Sequence, residues 1–315
     1  MTQMTFARFQ GMWFGGIVGQ AIANQKLNEQ TQPKTSPQKN ISVLEFPTQN
    51  WLRDRRQLSQ EYLETYLTEK TEEKIQENWH SQQSSLPKAD QPLRQSAISN
   101  EHPLKFLFRL LVSPKQFNFP PESHSSYVIL YSLVNSLLCH KLEPLNWRNL
   151  IQEAQQKLDS PSVKLIEQLL LVSELASEGI SRPQLTAKLG ADADSLETAI
   201  AWSWYCFISN PQDFKLSVLR AANTDSPLAG MITALTGTLS GAHNGILRIP
   251  LNWRMRIAQP PDHELEEQML LKLFKVWLGI YNLSQEQDLF QPWLQAVAIS
   301  PTIQSRNSLK IISQQ

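Results

Sequence analysis

Glycine is scarce in this chain, at 11 of 315 residues, and cysteine occurs only twice. Two cysteines exclude a disulfide framework and a thiolate metal cluster. Cys139 and Cys206 both lie in apolar stretches and read as buried thiols of a reducing compartment. An excess of one charge is missing as well: Lys+Arg and Asp+Glu are both 29, so no net field steers the chain toward nucleic acid or an anionic membrane. The N-terminal stretch "MTQMTFARFQGMWFGGIVGQAIANQ" has an apolar run of roughly fifteen residues, too short to span a bilayer. It has one arginine and four glycines, so it does not read as a signal peptide either. These absences predict a cytoplasmic protein with neither nucleic acid nor membrane as partner.

Alternating strand patterns are also lacking, and helical spacing takes their place. A first helix is predicted from about Thr5 to Gln25, followed by a polar loop, "NQKLNEQTQPKTSPQKN". Leu58 to Trp79 returns to helical spacing, with Tyr62, Leu63, Tyr66 and Leu67 on one side. From His102 onward helix follows helix. "SSYVILYSLVNSLLCHKL" is apolar nearly all round and reads as a buried central helix. "SPSVKLIEQLLLVSELASEG" stops at Gly179, and the helix after it starts at Asp194 or Ser195 with Glu197 in its first turn. The expected fold is all-α and single-domain over residues 1–300, with a mobile insert at about 81–101 and a flexible tail over 301–315. Residues 26–40, 81–101 and 303–315 are expected to be mobile, because they offer little apolar surface to bury.

The few glycines are not spread evenly. Eight of them fall in two windows, Gly11, Gly15, Gly16 and Gly19, then Gly230, Gly237, Gly241 and Gly245. Within each window they recur at four-residue steps, which puts them on one helix face. Each costs about 1 kcal/mol relative to alanine in a helix, so a compensating contact is expected. Two glycine-faced helices can approach nearer than the usual ~8–10 Å, which predicts that the two windows pack together. A phosphate-binding loop is the weaker reading of "GMWFGGIVG", because no strand precedes it and Trp13 and Phe14 crowd it.

These windows resemble the ADP-ribosylglycohydrolase family, whose members include the enzyme that reactivates ADP-ribosylated dinitrogenase reductase. "FQGMWFGGIVGQAIA" is similar to the family's N-terminal pattern G-x-x-x-G-x-x-x-G-D-A-x-G, matched at Gly11, Gly15, Gly19 and Ala21. The stretch from "ETAIAWSWYCF" to "GTLSGAHNGILRIPLNW" resembles the family's late segment, a Gly-rich helix closing on G-x-x-x-I-P-x-x-W. The resemblance implies an orthogonal helical bundle and hydrolysis of an N- or O-glycosidic bond of ADP-ribose at two divalent metals, magnesium or manganese. Two hard cations need several oxygen ligands, and together they can activate water against the anomeric carbon.

In the family those ligands come from an early T-D-D-T motif and a late G-G-D-T-D-T motif. Matching "NTDS", Asn223 to Ser226, to the late motif would keep Asp225 as one carboxylate. The glycine spacing argues otherwise. Counting back six residues from Gly237 puts the motif at Leu228, Ala229, Gly230 and Met231, the ungapped register that also aligns Gly241, Gly245, Pro250 and Trp253. Both late carboxylates are then replaced, by Leu228 and Gly230, and Met231 stands where a threonine would bind metal. The early counterpart is Thr48, Gln49 and Asn50, whose neutral amides cannot offset two close cations. Gln20 replaces the aspartate of the N-terminal signature. The expectation is no metal cofactor and no catalytic residue, with Asp225 as the weak candidate. Gln20, Asn223 and His243 are candidates to line a residual cleft, with an ADP-ribose-like ligand or a protein as partner.

Other constellations carry less. His102, His124, His140 and His243 lack paired ligand spacing, and Cys139 and His140, being adjacent, diverge on a helix. Trp202, Trp204, Tyr205 and Phe207 read as core rather than as a stacking platform. The arginines of "WLRDRRQ" read as a solvated helix face. Three readings of function stay open on the sequence: a pseudoenzyme that binds or regulates, an active hydrolase with a rearranged site using Asp225, Asp54 or Glu45, and a purely structural helical protein.

Overall fold

A computed structural model describes residues 2–31, 121–139, 147–156, 163–180, 182–189, 195–257 and 263–278. Among them every regular element is helical and no strand occurs. The expected helix over Leu58 to Trp79, the insert at 81–101 and the tail at 303–315 lie outside the described residues. None of the described helices is long and apolar enough to cross a membrane.

Helix α1 spans Thr2–Thr31, six residues beyond the predicted end at Gln25. Lys26 to Thr31 were expected to be loop because they are polar. They are nevertheless ordinary helix formers with no glycine or proline among them, and Pro33 comes only two residues later. Helix α2, Pro121–Cys139, is the expected central helix. Ile129, Leu130 and Leu133 are fully buried, and Ser126, Ser132 and Ser136 are buried with them. Its last residue, Cys139, is exposed, whereas Cys206 is buried. The reading of two buried thiols therefore holds for one; Cys139 ends the helix, beyond the packed turns.

Helices α3, Trp147–Gln156, and α4, Val163–Ser177, lead to Gly179, which adopts φ 67°. The Ile180 amide donates to Leu175 O and the Gly179 amide to Ala176 O, a Schellman closure that needs the left-handed residue. After α5, Arg182–Leu189, helix α6, Leu196–Ile208, starts on Ser195, whose side chain accepts from the Thr198 amide. Trp204 and Phe207 are fully buried in α6. The Trp204 indole donates to Ser173 Oγ at 3.1 Å and the Tyr205 hydroxyl to Ile180 O at 2.8 Å. The aromatic cluster is core, as expected.

Helix α7, Phe214–Ala222, is capped by Asp213 and leads into α8, Ala229–Asn244. A short 3-10 turn, Ile246–Arg248, then α9, Leu251–Ile257, and α10, His263–Trp277, complete the described elements.

Helices α1 and α8 run antiparallel in direct backbone contact. Gly11 faces Gly241, Gly15 faces Gly237 and Gly19 faces Thr233. A Cβ at any of these glycines would overlap a carbonyl oxygen of the opposite helix. The cost of helical glycine is thus offset by an approach no other residue permits. Gly245 ends α8 at φ 78°, beside Ala7 of α1. Gly230 differs, since a Cβ there would meet nothing within 4 Å.

The two kinds of glycine in α8 should respond oppositely to alanine. Gly241→Ala forces two backbones apart and is expected to cost about 2–4 kcal/mol, whereas Gly230→Ala should be neutral or stabilising by up to about 1 kcal/mol. Urea midpoints check this; a Gly241→Ala protein as stable as the parent would remove the backbone contact as the reason for the glycines.

Candidate functional site

The segment between α7 and α8, with the first turn of α8, carries the residues matched to the late motif. It is built mainly by local hydrogen bonds. Asn223 ends α7, and its side-chain amide donates back to Leu219 O at 2.9 Å. The Thr224 amide donates to Ala221 O. Ser226 Oγ accepts from the Leu228 amide at 3.1 Å, and Ser226 O accepts from the Ala229 amide. Asp225, at the apex, is exposed. Helix α8 then starts without a side-chain cap, from Leu228 at φ −92° and ψ 14°.

Leu228 is 3% exposed and Met231 is 5% exposed, so both belong to the core. Gly230, between them, borders open space. The segment therefore presents two apolar side chains turned inward, a glycine, and one carboxylate in solvent. Among the described residues no group of three or more His, Cys, Asp or Glu side chains is placed to hold a metal ion. Leu228, Ala229, Gly230 and Met231 supply no oxygen-bearing side chain, so these four positions offer no side-chain ligand to a magnesium or manganese centre. Thr48, Gln49 and Asn50 lie outside the described residues.

Gln20 sits one residue past Gly19, whose backbone abuts Thr233. At 100° per residue it falls on the same face of α1 as Phe9 and Trp13, away from the glycine face. It is buried, and its Oε1 has no hydrogen-bond partner among the described residues.

His243 stands three turns further along α8 than Met231, about 18 Å along the axis. Two sites, one at each end of α8, are thus distinguished. At the far end the imidazole is buried, edge-on to Trp147 and Phe207 with centroids 6.1 and 5.6 Å away. The Gln212 amide nitrogen is 3.4 Å from His243 Nε2. With that amide donating, the ring proton is on Nδ1. Burial, and next the nearby Arg8 cation, lower the His243 pKa to about 4.

Arg8 is the residue that sequence reasoning passed over. It is a lone charge in the apolar part of α1, 5% exposed, and Nη1 donates to Leu137 O at 3.3 Å in the last turn of α2. A cation there meets carbonyls that have no partner within their own helix. Burial lowers the pKa of Arg8, and Cys139 acts in the opposite direction. The signal available in the sequence was that single arginine between Phe6 and Phe9.

A model of the ADP-ribosylglycohydrolase family matches residues 121–283, more than half of the 315 residues. The chain belongs to the ADP-ribosylglycohydrolase family. No curated protein and no solved structure matches it.

The buried imidazole gives stability a pH dependence of known sign. Its folded pKa, about 4, is below the ordinary 6.5, so folding favours the neutral ring. The associated stability is full above pH 6.5 and is lost as pH falls toward 4, by up to about 3 kcal/mol. Urea melts across this range should show a shallower loss for His243→Gln than for the parent; parallel curves would mean that the ring is solvated in the fold.

Proposed function

We propose that this chain is a non-hydrolytic member of its family, a binding or regulatory module on a glycohydrolase scaffold. The observation that carries the reading is the burial of Leu228 and Met231 in the first turn of α8, where the glycine register puts the late metal motif. A centre of two divalent cations requires several anionic oxygens converging within ~2.0–2.6 Å. Apolar side chains packed into the core leave no room for water or cation at those positions. Asp225 is exposed at the loop apex three residues earlier, and one carboxylate cannot hold two ions. The early positions Thr48, Gln49 and Asn50 are neutral by sequence. The ligand class that this reading favours is an ADP-ribose-like molecule or a protein, and the location it favours is the cytoplasm, which a chain with only two cysteines supports.

Calorimetric titration with ADP-ribose, with and without Mg²⁺ or Mn²⁺, tests the reading. Any binding heat should be the same with and without metal, and no ADP-ribose should be released from modified arginine or serine. Metal-dependent release above a no-protein control, lost in Asp225→Ala, would establish an active hydrolase instead.

A further inference from the structure

Among the described residues, the segment after α8 has one face that is packed and one that is not. Ile249 and Trp253 are buried, 1% and 2% exposed, and the Trp253 ring meets Phe214 at 6.4 Å. Arg254 Nε donates to Ile249 O at 3.1 Å, and the Arg254 and Trp253 amides both donate to Pro250 O. The segment is therefore held firmly from beneath. Leu247, Leu251 and Met255 fall between these anchors at steps of four and stand 73%, 61% and 65% exposed. Among the described residues, six large apolar side chains stand exposed, and three of them are gathered within these nine positions.

The charges carried by the segment itself have one sign. Between Asp225 and Asp262 the sequence has no acidic residue, while Arg248, Arg254 and Arg256 all fall beside the apolar positions. Arg248 is exposed and Arg254 half-buried. An apolar ridge with arginine flanks complements an apolar stripe with carboxylate flanks. Leu251 and Met255, one turn apart, match the ridge spacing by which helices pack.

We propose that the outward face of residues 247–255 docks an acidic amphipathic helix of a partner protein. Apolar contact supplies the affinity, and the arginines select the partner by charge. A lipid surface is the less suited occupant, because interfacial helices carry outward aromatic residues and the tryptophan of this segment is turned inward. The proposal stands apart from the loss of metal, since an active hydrolase could carry the same surface.

The test uses the full chain and a fluorescent synthetic helical peptide with leucines at i, i+4 and i+7 flanked by glutamates. Binding by anisotropy is expected, weakening with salt. It should weaken about tenfold or more in the Leu251→Ser, Met255→Ser double variant and in Arg248→Glu, both at exposed positions and checked for unchanged circular dichroism. A lysine-flanked peptide should not bind. Equal binding of both peptides, or no loss in the variants, would overturn the proposal. So would co-sedimentation of the parent with phosphatidylserine-containing vesicles that the double variant abolishes. A parent dimer that the double variant converts to monomer would assign the face to a second copy, and deletion of residues 284–315 that first unmasks peptide binding would assign it to the chain's own C-terminal segment.

Discussion

The backbone contact between α1 and α8 is the constraint on which the other packing depends. Glycine at four-residue steps on both helices lets carbonyls and Cα atoms of one lie against those of the other. Once α8 is drawn so close to α1 and is covered by α6 and α7 as well, it has no solvated side: every residue from Met231 to His243 is buried. A helix enclosed in this way cannot leave its polar side chains to water. Its threonines donate to carbonyls one turn back, Thr233 to Ala229 O at 2.6 Å, Thr236 to Ile232 O at 2.8 Å and Thr238 to Ala234 O at 3.0 Å. Ser203 of α6 donates to Ile232 O across the interface at 3.1 Å. Small size and internal satisfaction of hydroxyls are thus one requirement.

The same contact fixes what the two ends of α8 can do. At its C-terminal end α1 brings Arg8 toward the last turn of α2, and burial first, then that cation, lower the pKa of His243. Two positive charges there would be unfavourable in a medium of low dielectric, so the imidazole stays neutral and packs as an aromatic ring. At its N-terminal end Thr233 meets Gly19, and the first turn beyond is held by Leu228 and Met231 packed inward. One end holds a buried cation beside a buried imidazole, and the other is an apolar plug.

The glycine face was legible in the sequence because only close approach explains several costly glycines in register, and the register itself set Leu228, Gly230 and Met231 at the start of α8. The caps of α4 and α6 were legible for a similar reason, since Gly179 and Ser195 satisfy orphan backbone groups by local chemistry. Properties that depend on a distant element were not. Composition marks Lys26 to Thr31 as polar, yet polarity does not end a helix. Cys139 follows an apolar run but lies at its very end, where burial depends on what covers the terminus. The partners of Arg8 come from α2, 129 residues away in sequence, and no spacing rule reports such a pairing. His243 was a candidate to line a cleft, and the packing of its ring against Trp147 and Phe207 depends on elements distant in sequence. The early positions Thr48, Gln49 and Asn50 lie outside the described residues.

If the proposed reading holds, the apolar plug bears on how a di-metal scaffold can lose its metals. On the proposed reading, a carboxylate buried at the depth of Leu228 would be tolerable only while cations neutralised it; without the ions, the unpaired charge would cost several kcal/mol. Loss of the cation therefore favours replacement of the ligands by apolar groups, which turn the former cost into a contribution of about 1.5–3 kcal/mol for each fully buried large side chain. The exchange is steep in reverse. Restoring one aspartate at position 228 or 230 would place a lone carboxylate against an apolar wall or at the rim of open space, with nothing to pair it. On the proposed reading, a metal centre would need carboxylates at positions 228 and 230 and charged residues at positions 49 and 50 together, since one carboxylate does not hold two ions.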